Sequence, residues 1–370
     1  MSCKIVGLVV KVVERCNLNC SYCYMYNHPD QSYQARPAFM SEEIYSSAIA
    51  RIDQYCNKRP DIRRIQITFH GGEPMLMKPE VFRRFAEMTV TRLGSAVSLA
   101  MQTNATLVTD EWISVLKEYS VRVGVSLDGP AHIHDSVRVY HSGSGSYRDT
   151  INGLQRLQQA RIFPGVLCVV NPAFSGEEIY QHFRALGIRL INFLMPDACH
   201  DTKALYYGKF GRTPIADYLI PAFNAWFRED NPLVRVRLFE DCIRRILGGL
   251  TYTDAIGNMP ENYLVIESDG SIHANDALKV CDEGVSETGL DVRFHGFDDL
   301  HQGSPLLYKL INEGLPLCER CQACPEVAVC GGGSVPHRYS RMNGFDNPSI
   351  WCEDLLRLLS HVRAFVASAN

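Results

Sequence analysis

Short apolar runs alternate with amphipathic segments over the first half of the chain. Runs rich in Val, Ile and Leu are typical of buried strands, whereas apolar residues that recur every three or four positions are typical of helices. The strands predicted in this way are residues 6–13, 64–69, 97–102, 122–127, 165–170 and 190–194. The helices predicted between them include residues 41–55, 79–92, 110–119, 147–159 and 176–186.

Strands that alternate with helices indicate a parallel sheet with helices packed outside it. Six strand–helix units fit an α/β fold, a partial (β/α)6 barrel similar to a TIM barrel. In barrels of parallel strands the chemistry lies at the C-terminal ends of the strands. The alternation stops after residue 194, so we expect a barrel over residues 1–195, a connector that forms a substrate wall over 196–260, and a second domain over 261–370.

Three closely spaced cysteines follow the first predicted strand. They are Cys16, Cys20 and Cys23, in a Cys-x3-Cys-x2-Cys spacing. A loop that leaves a strand can wrap three thiolates around one iron–sulfur cubane and leave one iron open. The alternatives are a zinc site or scattered core thiols, but zinc usually takes four ligands from paired Cys-x2-Cys knuckles. The spacing therefore favours a 4Fe–4S cluster with an open iron.

The composition indicates a compartment and argues against two kinds of partner. A net charge of −4 gives no indication of a nucleic-acid or membrane surface. The first strand begins too early for a signal peptide, and no apolar run is long enough to span a bilayer. Fourteen cysteines in such a chain favour metal ligation over disulfides. We therefore expect a cytoplasmic protein.

Polar motifs also follow the next strands. Gly71, Gly72, Glu73 and Pro74 come after the second strand, where glycines let the backbone approach a ligand and a carboxylate can accept hydrogen bonds from an ammonium group. A plain turn is the alternative for this motif. Two further polar positions, Ser126 and Arg138, lie at and just beyond the end of the fourth strand.

With Tyr24 after the third cysteine, these residues resemble the signature of the radical S-adenosylmethionine (radical SAM) superfamily. The resemblance implies that the open iron binds the amino and carboxylate groups of S-adenosylmethionine (AdoMet) and that the cluster cleaves AdoMet to a 5′-deoxyadenosyl radical. It implies that the Gly-Gly-Glu-Pro motif binds the AdoMet amino group, and that Ser126 and Arg138 line the ribose and carboxylate. It also implies the partial barrel and a reductant such as flavodoxin or ferredoxin.

A second group of cysteines lies in the C-terminal third: Cys318, Cys321, Cys324 and Cys330, then three glycines, then Cys352. Close cysteine pairs, with glycines that let the backbone wrap a cluster, indicate an iron–sulfur site. A zinc ribbon is the alternative. The run resembles the SPASM domain of radical SAM peptide maturases. Matched by spacing, Cys321, Cys324, Cys330 and Cys352 hold one auxiliary 4Fe–4S cluster.

The other cluster of the SPASM pattern is expected to be absent. Asn275 and Ser334 stand where that pattern has cysteines, while Cys281 and Cys318 are left over as candidates for an unorthodox ligand. Together with the residues around His337 and Asn347, these departures resemble the FxsB-type branch, whose relatives include enzymes that form three-residue cyclophanes.

That branch implies an enzyme that crosslinks a ribosomally made precursor peptide by joining a Cβ to an aromatic ring. The radical removes the Cβ hydrogen, the auxiliary cluster takes one electron, and a base takes one proton. Asp276 aligns with the carboxylate base of sulfatase maturases, and a carboxylate near a dry groove is expected to have a raised pKa. The alternative for Asp276 is a salt bridge with Lys279 on a turn.

Two other functions stay open. The first is another radical SAM maturase chemistry, either thioether formation or formylglycine formation from Cys or Ser on a sulfatase. Sulfatase maturases usually keep both auxiliary clusters, which argues against them here. The second is a non-catalytic iron–sulfur or peptide-binding protein, and the paired AdoMet motifs argue against that.

Changing Cys16, Cys20 and Cys23 together to Ala is expected to abolish 5′-deoxyadenosine formation from AdoMet and dithionite, because the three thiolates are the ligands of the cluster that cleaves AdoMet. Chromatography of the nucleoside products measures this. A triple variant that still releases 5′-deoxyadenosine contradicts the assignment.

Overall fold

The computed structural model describes residues 4–251 and 253–368 of the chain. Within these residues there are twelve strands. They are β1 (Gly7–Val13), β2 (Leu18–Cys20), β3 (Ile65–Gly71), β4 (Val97–Thr103), β5 (Arg122–Ser126), β6 (Arg138–Tyr140), β7 (Gly165–Val169), β8 (Leu190–Leu194), β9 (Arg235–Val236), β10 (Tyr263–Ile266), β11 (Ser271–His273) and β12 (Glu287–Asp291).

The same described residues form thirteen α-helices, none of which is both long and apolar enough to cross a membrane. They are α1 (Glu42–Asn57), α2 (Pro79–Leu93), α3 (Asp110–Glu118), α4 (Ala131–His134), α5 (Tyr147–Gln159), α6 (Gly176–Ala185), α7 (Lys203–Tyr207), α8 (Pro214–Glu229), α9 (Arg237–Ile246), α10 (Pro305–Asn312), α11 (Glu319–Gln322), α12 (Val327–Cys330) and α13 (Cys352–Ser368). Two 3-10 helices, Pro74–Leu76 and Asp276–Val280, carry residues of the candidate site.

The six strands predicted from the apolar pattern are confirmed as β1, β3, β4, β5, β7 and β8, with ends that move by at most two residues. Two helix starts also follow their sequence signals. The side chain of Ser41 accepts a hydrogen bond from the backbone N–H of Ile44 at the start of α1, and Thr109 does the same for Trp112 at the start of α3. These side chains satisfy donors that a helix start leaves free, which fixes where each helix begins.

The chain forms two compact units, each assembled from separate stretches of sequence. Unit 1 takes its described residues from Met1–Ser126, Arg138–Pro164 and Pro260–Gly314. Its strands lie in the order β12-β11-β10-β1-β3-β4-β5. The run from β10 to β5 is parallel, whereas β11 and β12 are antiparallel to their neighbours.

The sheet of unit 1 includes a strand from the C-terminal third of the chain. β10 pairs in parallel with β1, so that Gly7 lies opposite Tyr263 and Val10 lies opposite Ile266. The two units therefore follow a different division from the three domains predicted at 1–195, 196–260 and 261–370, which stay a prediction.

Aromatic side chains of α1, α2 and α3 form the core on one face of this sheet. The rings of Tyr45 and Phe85 stack with centroids 4.0 Å apart, and Phe82 contacts Phe69 at 4.6 Å and Trp112 at 5.2 Å. All five are buried. Burial of each such Phe contributes about 1.5–3 kcal/mol, so this core holds β3 and β4 firmly, and with them the motifs that follow these strands.

Unit 2 takes its described residues from Leu127–Val137, Gly165–Met259 and Leu315–Asn370. Its strands β7, β8 and β9 run parallel in that order. Phe223 of α8 lies at the centre of its core, 5.4 Å from Phe239 of α9 and 5.5 Å from Phe365 of α13 between ring centroids. The helix that begins at Cys352 is thereby fixed against two others.

Candidate functional site

The cysteine triplet lies in the segment between β1 and α1 of unit 1. Cys20 ends β2, which pairs with β6 so that Cys20 lies opposite Arg138. The turn to Cys23 is closed by a hydrogen bond of 3.0 Å from its backbone N–H to the carbonyl of Cys20. The small β2–β6 sheet therefore places a positive charge next to the cysteine loop.

Burial determines the acid–base chemistry of these thiols. It raises the pKa of Cys16 to about 12 and that of Cys23 to about 11, and negative charge on the neighbouring cysteines adds to both shifts. Thiols with such pKa values stay protonated in neutral solution, so iron must displace their protons on binding. Cys20 is buried, whereas Cys16 and Cys23 are partly exposed. Three thiols that act on one another fit a cubane held at three corners.

The two glycines of the Gly-Gly-Glu-Pro motif lie against the backbone that leads into the triplet. The N–H of Gly72 donates to the carbonyl of Val13 at 2.7 Å, and the N–H of Glu73 donates to the carbonyl of Arg15 at 2.9 Å. Gly71 has a φ of +136°, and a Cβ on Gly72 would lie 2.2 Å from the carbonyl oxygen of Arg15. Glycine is therefore required at both positions for the motif to reach the cysteine loop.

The carboxylate of Glu73 is buried beside the triplet. It accepts hydrogen bonds from Oγ1 of Thr103 at 2.6 Å and from the backbone N–H groups of Asn104 at 2.7 Å and Met75 at 3.0 Å. Burial raises its pKa, although these bonds oppose the rise. Pro74 opens the 3-10 helix that follows. These bonds fix Glu73 in one orientation.

The other two residues predicted to bind AdoMet differ in their surroundings. Burial raises the pKa of Cys23 and of Glu73, and the charge of Arg138 opposes both shifts, so Arg138 is close to both groups. Ser126 ends β5 and accepts a hydrogen bond of 2.9 Å from Nε2 of Gln102 on β4. The structure thus brings Arg138 to the triplet and ties Ser126 to the neighbouring strand. The roles of both toward AdoMet stay predictions.

Asp276 lies in a buried ionic cluster of unit 1 with Lys11 and Tyr24. Its Oδ2 is 2.5 Å from Nζ of Lys11 and accepts a hydrogen bond of 2.6 Å from Oη of Tyr24. Nζ of Lys11 also donates to Oη of Tyr24 at 2.7 Å. The side chain of Lys11 has no exposure, whereas that of Asp276 is 16% exposed. The side chain of Asp276 is therefore not fully enclosed.

Two expectations about Asp276 are wrong. Burial alone would raise its pKa, but attraction by the Lys11 ammonium and the hydrogen bonds that it accepts from Lys11 and Tyr24 lower the pKa to about 2. Its partner is also not Lys279, whose Nζ lies 2.8 Å from Oε1 of Glu267. Asp276 and Lys279 lie at different ends of one 3-10 helix and find separate partners.

Sequence reasoning missed two residues of this neighbourhood, Lys11 and His70. Burial lowers the pKa of His70 to about 4 and the charge of Lys11 adds to the shift, so the ring is neutral near Asp276. A signal for Lys11 was present, because a lysine alone inside an apolar strand is buried and needs a partner. His70 comes directly before Gly71, near the C-terminal end of β3, where such folds place their chemistry.

The four predicted ligands of the auxiliary cluster lie together in unit 2. Cys321, Cys324, Cys330 and Cys352 line one pocket. Cys352 is positioned by its helix, because Oδ1 of Asp354 accepts hydrogen bonds from backbone N–H groups at the start of α8, at 2.7 and 2.9 Å. Two well-anchored segments, 318–330 and the start of α13, therefore meet at this pocket.

Burial also raises the pKa of two of these thiols, to about 12 for Cys321 and about 11 for Cys330. Cys318, next to Cys321, adds to the shift of the latter. Among the described residues no three His, Cys, Asp or Glu side chains converge on a single metal ion. A cubane instead takes its ligands at separate corners, and four thiols around one pocket fit that requirement.

Asn275 stands where the SPASM pattern has a cysteine, and its side chain makes two hydrogen bonds. Nδ2 of Asn275 donates to Oε1 of Glu261 at 2.9 Å, and its Oδ1 accepts from the backbone N–H of Ala277 at 2.9 Å, which caps the 3-10 helix. Cys281 ends this helix and is buried. The amide of Asn275 thus stabilises the start of the 3-10 helix. Iron analysis tests whether Cys281 or Cys318 binds a cluster.

Comparison with known protein families and sequences finds one family and several relatives. The family model described as the radical SAM superfamily matches residues 10–186. An uncharacterized protein of Methanocaldococcus jannaschii is 31% identical over 223 residues, which cover 56% of this chain and 72% of that protein. A cysteine-type anaerobic sulfatase-maturating enzyme of Clostridium novyi is 26% identical over 357 residues, which cover 94% of this chain and 92% of that protein.

Solved structures resemble the chain over nearly its whole length. One, described as native anSMEcpe with bound AdoMet, has a TM-score of 0.84 at 21% identity and covers 98% of both chains. The same protein with bound AdoMet and a Cp18Cys peptide has a TM-score of 0.82 at 22% identity, with 98% of both chains covered. At this identity the likeness concerns the fold, and it confirms the predicted fold class, an α/β barrel-type domain followed by a SPASM-like domain.

Anaerobically reconstituted protein is expected to hold two 4Fe–4S clusters, about eight irons, because one set of three and one set of four cysteines are complete. Iron and sulfide analysis measures this. Cys281→Ala and Cys318→Ala are expected to leave the count unchanged. A clear excess over two clusters, or loss of a cluster in either variant, would show that an unorthodox site exists.

Replacing Lys11 by Met is expected to lower the free energy of unfolding by about 3–5 kcal/mol at neutral pH, because Asp276 is left buried without its partner. The loss should shrink as the pH falls below the unfolded pKa of the carboxyl, 3.8, toward the folded value of about 2. There the wild-type protein loses the contribution of the pair, whereas the unpaired carboxyl in the variant gains a proton. Urea unfolding at several pH values measures both effects.

Lys4→Met is the matched control, because Lys4 pairs with Asp61 at the surface, where the side chains are 51% and 53% exposed. Its expected cost is no more than about 1 kcal/mol. A Lys11→Met variant that is as stable as this control would mean that the buried pair contributes nothing.

Proposed function

We propose a function that starts from one established point: the chain belongs to the radical SAM superfamily. The enzyme class and cofactors predicted from the sequence are confirmed, so the chain is an AdoMet-dependent enzyme with 4Fe–4S clusters. When bound, these groups supply a 5′-deoxyadenosyl radical that removes a hydrogen atom, and an acceptor for a second electron. We propose Cys16, Cys20 and Cys23 as the ligands of the first cluster.

The reaction that we propose is the two-electron oxidation of Cβ in a Cys or Ser residue of a polypeptide. Similarity to a sulfatase-maturating enzyme over 94% of the chain supports a formylglycine-type product. For Ser, the loss of a Cβ hydrogen atom, one electron and the hydroxyl proton leaves a C=O group. For Cys, the same losses leave a C=S group, which water converts to the aldehyde with release of hydrogen sulfide.

Asp276 is the observation that carries this proposal, because the reaction needs a group to take the last proton. Among the described contacts, Oδ2 receives both the ion pair with Lys11 and the hydrogen bond from Tyr24, which leaves Oδ1 for a substrate. A pKa lowered to about 2 keeps the carboxylate ionised at neutral pH but makes it a weak base. It therefore takes the proton once departure of the electron has made the O–H or S–H group strongly acidic.

Lys11 and Tyr24 act as positioning residues in this proposal. Lys11 is fixed on β1 and has no exposure, so it cannot follow the carboxylate toward solvent. Tyr24 directly follows Cys23, so the hydrogen bond from its hydroxyl ties Asp276 to the loop of the first cluster. The base is thereby held near the cysteine loop.

The predicted cyclophane crosslink is the second candidate. Its FxsB-type branch is not supported by the comparisons, whose relatives include sulfatase-maturating enzymes, so the formylglycine alternative replaces it as the main proposal. The observation in its favour is the auxiliary region, where Asn275 and Ser334 replace two cysteines of the SPASM pattern. A crosslinking reaction also uses one proton acceptor and one electron acceptor.

A polypeptide is the partner that we propose, and the likeness to a structure with a bound Cp18Cys peptide supports it. We keep flavodoxin or ferredoxin as the proposed reductant and the cytoplasm as the proposed location. We propose no nucleic-acid partner. Ser126 and Arg138 keep their proposed contacts to the AdoMet ribose and carboxylate, and Gly71, Gly72, Glu73 and Pro74 keep theirs to the amino group.

Asp276→Asn is expected to release 5′-deoxyadenosine from AdoMet while forming product at least about a hundredfold more slowly, because the amide does not accept the proton. The assay contains dithionite and sulfatase-derived peptides with Cys or Ser at the target position. Chromatography measures the nucleoside, and mass spectrometry with a hydrazide probe measures the aldehyde.

Asp110→Asn is the matched control, since Asp110 lies at the surface of α3 with its side chain 90% exposed. It should form product at the wild-type rate. Wild-type product formation by Asp276→Asn would remove this residue from the mechanism. A product that has lost two hydrogens but does not react with the hydrazide would establish a crosslink instead of the aldehyde.

A further inference from the structure

Arg338 is a buried cation with unused hydrogen-bond donors. Its side chain has no exposure and lies at the end of the 3-10 helix Pro336–Arg338 in unit 2. Nη2 donates to the carbonyls of Pro316 and of Phe345, the latter at 3.2 Å. Nε and Nη1 have no hydrogen-bond partner among the described residues. An unpaired donor on a buried charged group is costly, so these two positions call for a partner.

This guanidinium lies beside a residue that lines the pocket of the auxiliary cysteines. A Cβ added to Gly332, which lines that pocket, would lie 3.7 Å from Cδ and 3.9 Å from Nε of Arg338. Burial lowers the pKa of Arg338, and negative charge on Cys321 and Cys318 opposes that shift. The guanidinium therefore lies close to two cysteine sulfurs of the segment that we assign to the auxiliary cluster.

The positive charge of Arg338 is compensated less by carboxylates than by cysteine sulfurs. Asp346 also favours the charged form of Arg338, but it contributes less than either Cys321 or Cys318. Cys321 also lines the pocket and is a proposed ligand of the auxiliary cluster. Once the cysteines carry a cluster, their sulfurs become permanent acceptors, and the unused donors of Arg338 gain the partner that they lack.

We propose that Arg338 donates hydrogen bonds to the sulfur atoms at the auxiliary cluster and thereby raises its reduction potential. Hydrogen bonds and positive charge stabilise the reduced form, which carries one more negative charge. The inference rests on the proposed function, in which this cluster accepts the second electron, and it adds the residue that tunes the acceptor. Arg338 is a positioning and tuning residue and does not contact the substrate.

The test measures the potential of the auxiliary cluster by itself. The background is the full-length variant in which Cys16, Cys20 and Cys23 are Ala, so that the first cluster does not contribute to the signal. A redox titration followed by electron paramagnetic resonance is expected to show that Arg338→Gln favours the oxidised form at least tenfold, a shift of about 59 mV for one electron. Arg338→Lys keeps the charge but loses the planar fork, and it should shift the potential in the same direction by less.

Arg320→Gln is the matched control, because Arg320 lines the same pocket from an exposed position, where solvent screens its charge. Its expected shift is much smaller than that of Arg338→Gln. An equal shift in both, or an unchanged potential in Arg338→Gln, overturns the proposal. If Arg338→Gln does not load a cluster, Arg338→Lys decides, since an unchanged potential there overturns it as well. No substrate is present, so product assays can fail without affecting this outcome.

Discussion

The buried ion pair between Lys11 and Asp276 is the constraint on which the rest of unit 1 depends. An ammonium group without exposure to solvent costs several kcal/mol unless a partner compensates it. That partner comes from the far end of the sequence, and pairing of β10 with β1 brings it close. A slip of β10 by one residue would turn its side chains to the opposite faces and move the chain that leads to Asp276. The register of the sheet and the ion pair therefore fix each other.

A second cluster of buried ionisable side chains also pairs a lysine with a carboxylate. Lys279 pairs with Glu267, and Glu14 lies next to that carboxylate. Burial and the charge of Glu267 raise the pKa of Glu14 to about 8, so Glu14 is largely protonated at neutral pH. Two lysines, Lys11 and Lys279, are then paired with two carboxylates, Asp276 and Glu267, so their charges balance. This balance explains how one end of a sheet can bury so many ionisable groups.

Local patterns predicted most of the fold, and the proposed ligand sets also rest on them. The spacing of Cys16, Cys20 and Cys23, the caps at Ser41 and Thr109, and the six strands are all contained in short stretches of sequence. The place of β10 in the sheet, and the partner of Asp276, depend on residues far apart in the chain, so no local pattern contains them. No local pattern predicts the unpaired donors of Arg338 either, because they result from the three-dimensional packing around the side chain. The position of Lys11 in an apolar strand was the one local sign of this network.

In the proposed reaction, the low pKa of Asp276 also sets the order of the steps. A carboxylate that is paired with Lys11 does not remove a proton from an ordinary hydroxyl or thiol, so it remains inactive until the substrate has lost its electron. The electron acceptor must therefore work before the base does. In the proposals above, Arg338 raises the reduction potential of the auxiliary cluster, and Lys11 lowers the basicity of Asp276. Both effects favour the same order of steps. In this proposal oxidation comes first and deprotonation second, so the peptide meets no strong base when no radical is present.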